Sequence, residues 1–263
     1  MHILLTNDDG ISAPGLVAMY RELIPLGEVT VVAPESAQSA SAHAITISDP
    51  LSARGVHVQN VFHGHAVTGR PVDCVKLALQ ELVERPVDLV VSGINDGANV
   101  GINVLYSGTV AAAAEGALLG VASAAVSLER GEELDFDRAA VVARRLISRM
   151  IEQGVRPGTL LNFNIPNFGR GEPRGVRVVP QSVQIMDDHY LCREGPDGLH
   201  QYWLKGKYGP VSKTEETDLR AMLDGYVTVT PLQFDLTDRA TIETLAAWNW
   251  PELRKTGRTD AGT

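Results

Sequence analysis

Asp8 and Asp9 stand side by side in the segment Asn7-Asp8-Asp9-Gly10. Two adjacent carboxylates repel each other when both are ionised, and a divalent cation is the simplest compensation. Hard cations such as Mg²⁺ take oxygen ligands, usually one or two carboxylates completed by water and substrate phosphate. The same four residues also suit a turn in which an Asp caps a helix. A second stretch, Pro34 to His43, is rich in small and hydroxyl residues. It could give a neutral oxygen ligand or phosphate contacts, or be a surface loop; His43 reads as a hydrogen-bonded loop histidine rather than a ligand. The third stretch runs from Ser92 through Asn95, Asp96, Asn99 and Gly101 to Tyr106-Ser107-Gly108-Thr109. Asn95 and Asn99 offer carboxamide oxygens to a cation or NH₂ groups to a phosphate. Ser107-Gly108-Thr109 at a helix start would present free N–H groups and hydroxyls to an anion, although a long, capped connection explains the same residues.

These stretches matter together only if the fold brings them together. Residues 2–6, 29–33, 87–92, 122–128 and 160–165 are short apolar runs that read as strands. Between them lie helical patterns at 15–26, 72–83, 109–119 and 136–153, the last with Arg144, Arg145 and Arg149 on its wet side. Strands alternating with helices imply a parallel sheet covered on both faces. Ligands then bind beyond the carboxyl ends of the strands, which is where all three loops begin. A cation near two acids and an amide, beside a helix start suited to an anion, describes a phosphoryl-handling pocket. After about Pro166 the texture changes. Residues 174–180, 187–192 and 201–205 read as antiparallel strands or hairpin arms, 226–230 as a last strand and 241–248 as a short helix. No clean linker appears, so 1–263 reads as one domain: a core over about 1–166, an elaboration over 167–250 and a polar tail over 251–263.

Net charge is −9 with histidine neutral, which argues against a nucleic-acid polymer as partner, since that needs a basic face. The two cysteines, Cys74 and Cys192, have no metal-type spacing, and a reducing cytoplasm is the default. The run from Val110 to Leu128 carries a single charge, Glu115, but is broken by Gly116 and Gly120; it reads as a buried helix and strand rather than a membrane span. The signatures of Walker-type ATPases, dinucleotide-binding folds and serine hydrolases are missing.

At these residues the chain resembles the SurE family, the stationary-phase survival proteins that act as metal-dependent nucleoside monophosphate phosphatases. The matching segments are 3–15, 31–47, 69–75, 87–101, 106–116 and 224–232, in the family's order. The resemblance implies an α/β fold, a Rossmann-like three-layer sandwich with a mostly parallel sheet and a C-terminal hairpin and helical arm that swaps between subunits of a homodimer or homotetramer. It implies one divalent ion, Mg²⁺ or Mn²⁺, held by Asp8, Asp9, Ser39 and Asn95, with Asp8, Asp9 and Asn95 as the catalytic set. Phosphate contacts fall to Asn99, Ser107, Gly108 and Thr109. The implied activity is that of a 5′-nucleotidase releasing phosphate from nucleoside 5′-monophosphates, extended in some members to 3′-monophosphates and polyphosphate. Three places depart from the family's pattern: Asp96 where many members have a small residue, Ile102-Asn103 where many have acids, and Glu216-Thr217-Asp218 in place of Gly-Thr-Asp.

Two other phosphoryl chemistries start from acids after a first strand. A receiver-type signalling module needs a phosphoryl-accepting aspartate at a later strand end and a lysine beyond it; here the later strand is expected to end at Ser92-Gly93. A phosphatase with an aspartyl nucleophile wants its two acids one residue apart, and here they are adjacent. A nucleotide-binding protein without catalysis would use the same pocket.

Overall fold

The computed structural model describes residues 1–209, 211–212, 214–251 and 253. In chain order its elements are β1 (His2–Thr6), α1 (Pro14–Leu23), β2 (Glu28–Pro34), β3 (Ala53–Val58), β4 (Phe62–Val67), α2 (Pro71–Leu77), β5 (Leu89–Asp96), α3 (Gly108–Leu118), β6 (Ala122–Leu128), α4 (Phe136–Glu152), β7 (Leu160–Ile165), β8 (Val176–Val178), β9 (Met186–Glu194), β10 (His200–Tyr208), α5 (Asp218–Leu223), β11 (Val227–Leu232) and α6 (Arg239–Ala246). They form two compact units, 1–232 and 233–263. The second contains α6, capped by Asp238, which accepts hydrogen bonds from the N–H groups of Ala240 and Thr241. Of the tail expected over 251–263, Glu252 and 254–263 lie outside the described residues.

The first unit is a nine-stranded sheet in the order β3-β4-β2-β1-β5-β6-β7-β11-β8. The pairs from β4 through β2, β1, β5 and β6 to β7 are all parallel. Only β3 against β4 and β11 against β7 are antiparallel. The expected α/β architecture with a mostly parallel sheet is therefore the observed one. Its central strands read as unbroken apolar runs because both faces are covered. In β1, Ile3 and Leu5 pack with Leu16 and Met19 of α1 and Ile147 of α4, while Leu4 faces Cys74 and Val75 of α2 and Ala112 of α3. Helix α4 buries Ala139, Ala140, Ala143, Ile147 and Met150, a three-to-four spacing that makes one apolar stripe. Helix α3 instead buries ten of its eleven residues. Five of these are Ala or Gly between Ala111 and Gly116, so it fits closely between α2 and the sheet.

Several expectations are corrected. The strand starting at Leu89 does not stop at Ser92. It shifts register between Ser92 and Asn95 and resumes pairing with β6 as far as Asp96. Gly93 makes this possible: its φ is +138°, and a Cβ there would lie 2.3 Å from the Val126 carbonyl oxygen. The α-helical part of the 72–83 pattern ends at Leu77 and finishes in one wider π turn, Ala78–Leu82. The 174–180 segment is no hairpin arm; its Val176–Val178 joins the main sheet parallel to β11. The β3–β4 hairpin and α5 were not anticipated. Strand β3 is an edge strand with mostly exposed residues, so it lacks the apolar run that marks its neighbours. The two long arms expected after 187 form an antiparallel pair of their own, β9 with β10.

Candidate active site

Strand β1 lies between β2 and β5, so the chain leaves it toward one side of the sheet and later returns on the other. The loops after these three strands meet at that point. After β1, Asn7 is fully buried and its Nδ2 donates to the Gly10 carbonyl at 3.0 Å, closing the turn that holds the two aspartates. After β2, the Gln38 N–H donates to the Asp8 carbonyl at 2.7 Å, and that of Ala42 to the Tyr106 carbonyl at 3.1 Å. At the end of β5, the Asp96 N–H donates to Oδ2 of Asp9 at 3.1 Å.

The result is a pocket of about 190 Å³ lined by Asp8, Asp9, Ser39 and Asn95 together with Asn99 and Ser107. Asp8 is 6% exposed. Burial pushes its carboxyl up to about 6, aided by the charge of Asp9 and opposed by a hydrogen bond from Thr109. Asp9 is also raised by burial, against the Asp96 N–H that favours its charged form. Asn95 donates through Nδ2 to the Gly97 carbonyl at 2.7 Å, which leaves its carboxamide oxygen as the atom for a cation. Ser39 is on the exposed rim.

Asn99 is held on every side. Its N–H donates to Oδ1 of Asn164 at 2.7 Å, its Nδ2 to Oγ of Ser127 at 2.9 Å, and its carbonyl accepts from Nδ2 of Asn162 and of Asn164. Ser107 caps α3, its Oγ accepting from the Val110 N–H at 3.1 Å. Gly108 and Thr109 lie outside the pocket lining, against Asp8. The Thr109 hydroxyl donates to Oδ1 of Asp8, and a Cβ on Gly108 would come within 2.8 Å of the Asp8 Cβ. These two residues thus support Asp8.

An oxygen-binding divalent ion fits this donor set. Two carboxylates, a hydroxyl and a carboxamide share one pocket, and among the described residues no cationic side chain offsets the charge that burial penalises on Asp8. Among the described residues no cluster of three or more His, Cys, Asp or Glu is placed to bind a metal, so any ion here depends on neutral oxygens as well as acids.

Sequence reasoning missed four contributors to the site and its support. Arg130 lines the pocket, as does Tyr106; Arg130 stands in the loop after β6, where no motif marks it. Asp218 is fully buried and accepts from the N–H groups of Gly101, Ser182 and Leu219 at 2.7–2.8 Å, tying the end of the third loop to the C-terminal half. Glu115, inside α3, binds Lys76 at 2.8 Å and His43 at 2.9 Å, which gives His43 the hydrogen-bonded loop role expected of it. Of the departures, Asp96 and Asn103 line the pocket, while Glu216 pairs with Arg177 at 3.0 Å. The later strand does end at an aspartate, Asp96, contrary to the expectation of Ser92-Gly93. Its Oδ1 is engaged by Arg130 at 2.9 Å, and among the described residues no lysine lines the pocket.

The model of the family described as "Survival protein SurE" matches residues 3–188. A 5′-nucleotidase SurE from Syntrophobacter fumaroxidans is 46% identical over 249 residues, 95% of this chain and 100% of its own. One from Rhodopirellula baltica is 47% identical over 250 residues, 95% of this chain and 99% of its own. The crystal structure of the SurE protein from Aquifex aeolicus superposes with a TM-score of 0.80 at 36% identity, covering 93% of this chain and 98% of that one. With the family model matching residues 3–188 and relatives 46% and 47% identical along 95% of its length, the chain belongs to the SurE family.

Proposed function

We propose that the chain is a 5′-nucleotidase that hydrolyses nucleoside 5′-monophosphates with one divalent ion, Mg²⁺ or Mn²⁺, per subunit. The observation that carries this reading is that Asp8, Asp9, Ser39 and Asn95, from two loops and the end of β5, line one pocket with Asn99 and Ser107. The relatives named 5′-nucleotidase support it along nearly the whole chain.

Asp8, Asp9, Ser39 and Asn95 would hold the ion through oxygen. When bound, the ion supplies Lewis-acid polarisation of a phosphoryl oxygen and offsets charge that grows in the transition state. Asn99, locked by its three asparagine and serine partners, presents a fixed amide to the phosphate. Ser107 and the first turn of α3 add a helix N-terminus, where a phosphate is favoured by free N–H groups and the helix dipole. Thr109 and Gly108 keep the Asp8 carboxylate in place. A water would attack phosphorus in line as the ester P–O bond breaks. Its proton would pass to Asp8 or Asp9, since the pocket has no histidine among its described lining residues, and from there to the departing nucleoside oxygen, leaving a hydroxyl and inorganic phosphate. Phosphoryl transfer depends chiefly on positioning and charge stabilisation, and these side chains provide both without a covalent intermediate.

The same reading takes 1–263 as one functional domain in a cytoplasmic homodimer or homotetramer. The β9–β10 pair exposes Tyr190, Tyr202, Trp203 and Leu204, an apolar surface suited to a second subunit. No described helix is long and apolar enough to cross a membrane. Activity on 3′-monophosphates and polyphosphate belongs to the reading as a further extension. A panel of nucleoside 5′- and 3′-monophosphates and polyphosphate, assayed with Mg²⁺ or Mn²⁺ and with EDTA, tests it. Phosphate release from 5′-monophosphates that EDTA abolishes supports the proposal; no release from any of them with either ion refutes it.

A further inference from the structure

Arg130 is the one basic side chain among the described residues that line the catalytic pocket. Every other charged group there is an aspartate: Asp8, Asp9 and Asp96. A phosphomonoester dianion entering this pocket meets three carboxylates, and among the described lining residues only Arg130 carries a charge that attracts it.

The backbone that carries Arg130 is held on both sides. Glu129 accepts through Oε2 from the Asn167 N–H at 2.9 Å, and the Glu133 carbonyl accepts from Nδ2 of Asn167 at 2.9 Å. The side chain is not held in the same way. Among the described residues its hydrogen-bonded ion-pair partner is Asp96, Nε to Oδ1 at 2.9 Å, its charge also favours the ionised form of Asp9, and its side chain is 75% exposed. An ion pair this exposed contributes little stability and separates readily. The guanidinium offers several N–H donors in a planar fork that matches phosphate oxygens two at a time. A phosphate monoester carries close to two negative charges at neutral pH, against one on the Asp96 carboxylate.

Building on the nucleotidase reading, we propose that Arg130 is a substrate-binding residue that leaves Asp96 to grip the phosphoryl oxygens of the incoming ester. Asp96 holds the guanidinium at the mouth of the pocket in the free protein and competes with substrate for it. The pair thereby sets substrate affinity.

The test compares wild type, Arg130→Ala, Arg130→Lys and Asp96→Asn by two readouts: the Kd of inorganic phosphate by calorimetry with Mg²⁺ present, and KM and kcat for AMP. Loss of a charge-assisted hydrogen-bond pair is expected to weaken phosphate binding and raise KM about tenfold in Arg130→Ala, with KM moving more than kcat. Arg130→Lys recovers part of this loss, and Asp96→Asn tightens phosphate and lowers KM. An Arg130→Ala protein with phosphate Kd and KM within about twofold of wild type overturns the assignment. Asp96→Asn that weakens phosphate as much as Arg130→Ala overturns the exchange. A wild-type chain that releases no phosphate from any nucleoside 5′-monophosphate with Mg²⁺ or Mn²⁺ refutes the nucleotidase reading, and the phosphate-binding arm still decides the role of Arg130.

Discussion

The Thr109 hydroxyl, on the first turn of α3, donates to Oδ1 of Asp8 at the end of β1. Asp8 is raised to about 6 mainly by burial, and this hydrogen bond acts in the opposite direction. Thr109→Val removes the donor at nearly constant shape, so the Asp8 carboxyl of the metal-free protein moves above 6. Protons compete with a cation for a carboxylate. Binding of Mn²⁺ to wild type therefore weakens as the pH falls through about 6, and the Thr109→Val curve lies at higher pH. Calorimetric titrations from pH 5 to 8 check this; superimposable curves would show that Thr109 does not tune Asp8.

Asp8 lowers stability as the metal-free protein stands. A carboxyl raised from 3.8 to about 6 is ionised at neutral pH at a cost to the native state, about 3 kcal/mol by linkage. Asp8→Asn should abolish metal-dependent phosphate release while raising stability by roughly 1–3 kcal/mol. Asn95→Ala should abolish release without that gain. Denaturant melts paired with a phosphate assay check both. Near-normal turnover in folded Asp8→Asn removes Asp8 from the mechanism.

Gly108 and Gly93 are places where a methyl group does different damage. At Gly108 an added Cβ meets Ser41 Oγ at 2.6 Å and the Asp8 Cβ at 2.8 Å, so Gly108→Ala displaces Asp8 and lowers turnover at least about tenfold in a protein that still folds. At Gly93 the obstacle is the Val126 backbone, which cannot step aside. Gly93→Ala is expected to cost about 3 kcal/mol or more. Circular dichroism melts beside kinetics separate the two outcomes.

Glu115 is held below the usual carboxylate range by the hydrogen bond from His43 and the bond and charge of Lys76, against the effect of burial. Because its folded value is depressed, its contribution is full above the unfolded pKa near 4.3 and is lost as pH falls through the lower folded value. Wild type should exceed Glu115→Gln in stability by roughly 1–3 kcal/mol at pH 7. The gap should close on acidification below about pH 4. A gap independent of pH would mean that packing, not charge, makes the difference.

The parallel core was legible because strands buried on both faces must be apolar throughout, as Ile3-Leu4-Leu5 and Val90-Val91 are. The meeting of Asp8 and Asp9 with Asn95 followed, since a parallel sheet gathers its functional residues at the carboxyl ends of its strands. The bulge that carries Asn95 and Asp96 into β5 was hidden, because Gly93 reads equally as the end of a strand. The hydrogen bond from the Thr109 hydroxyl to Asp8 was hidden, because a residue at a helix start reads first as a contact for an anion. Arg130 was invisible: its position depends on where β6 releases the chain, and nothing in its neighbours' types reports that.

Helix α3 has one more consequence. Ala112 and Ala113 are fully buried in the helix whose first turn also supports Asp8. Enlarging either one has no free space to take up, so the displacement travels along the rod to its tip. Screens for inactive variants will then return hits at these alanines, far from any reacting atom, that mimic the loss of a metal ligand.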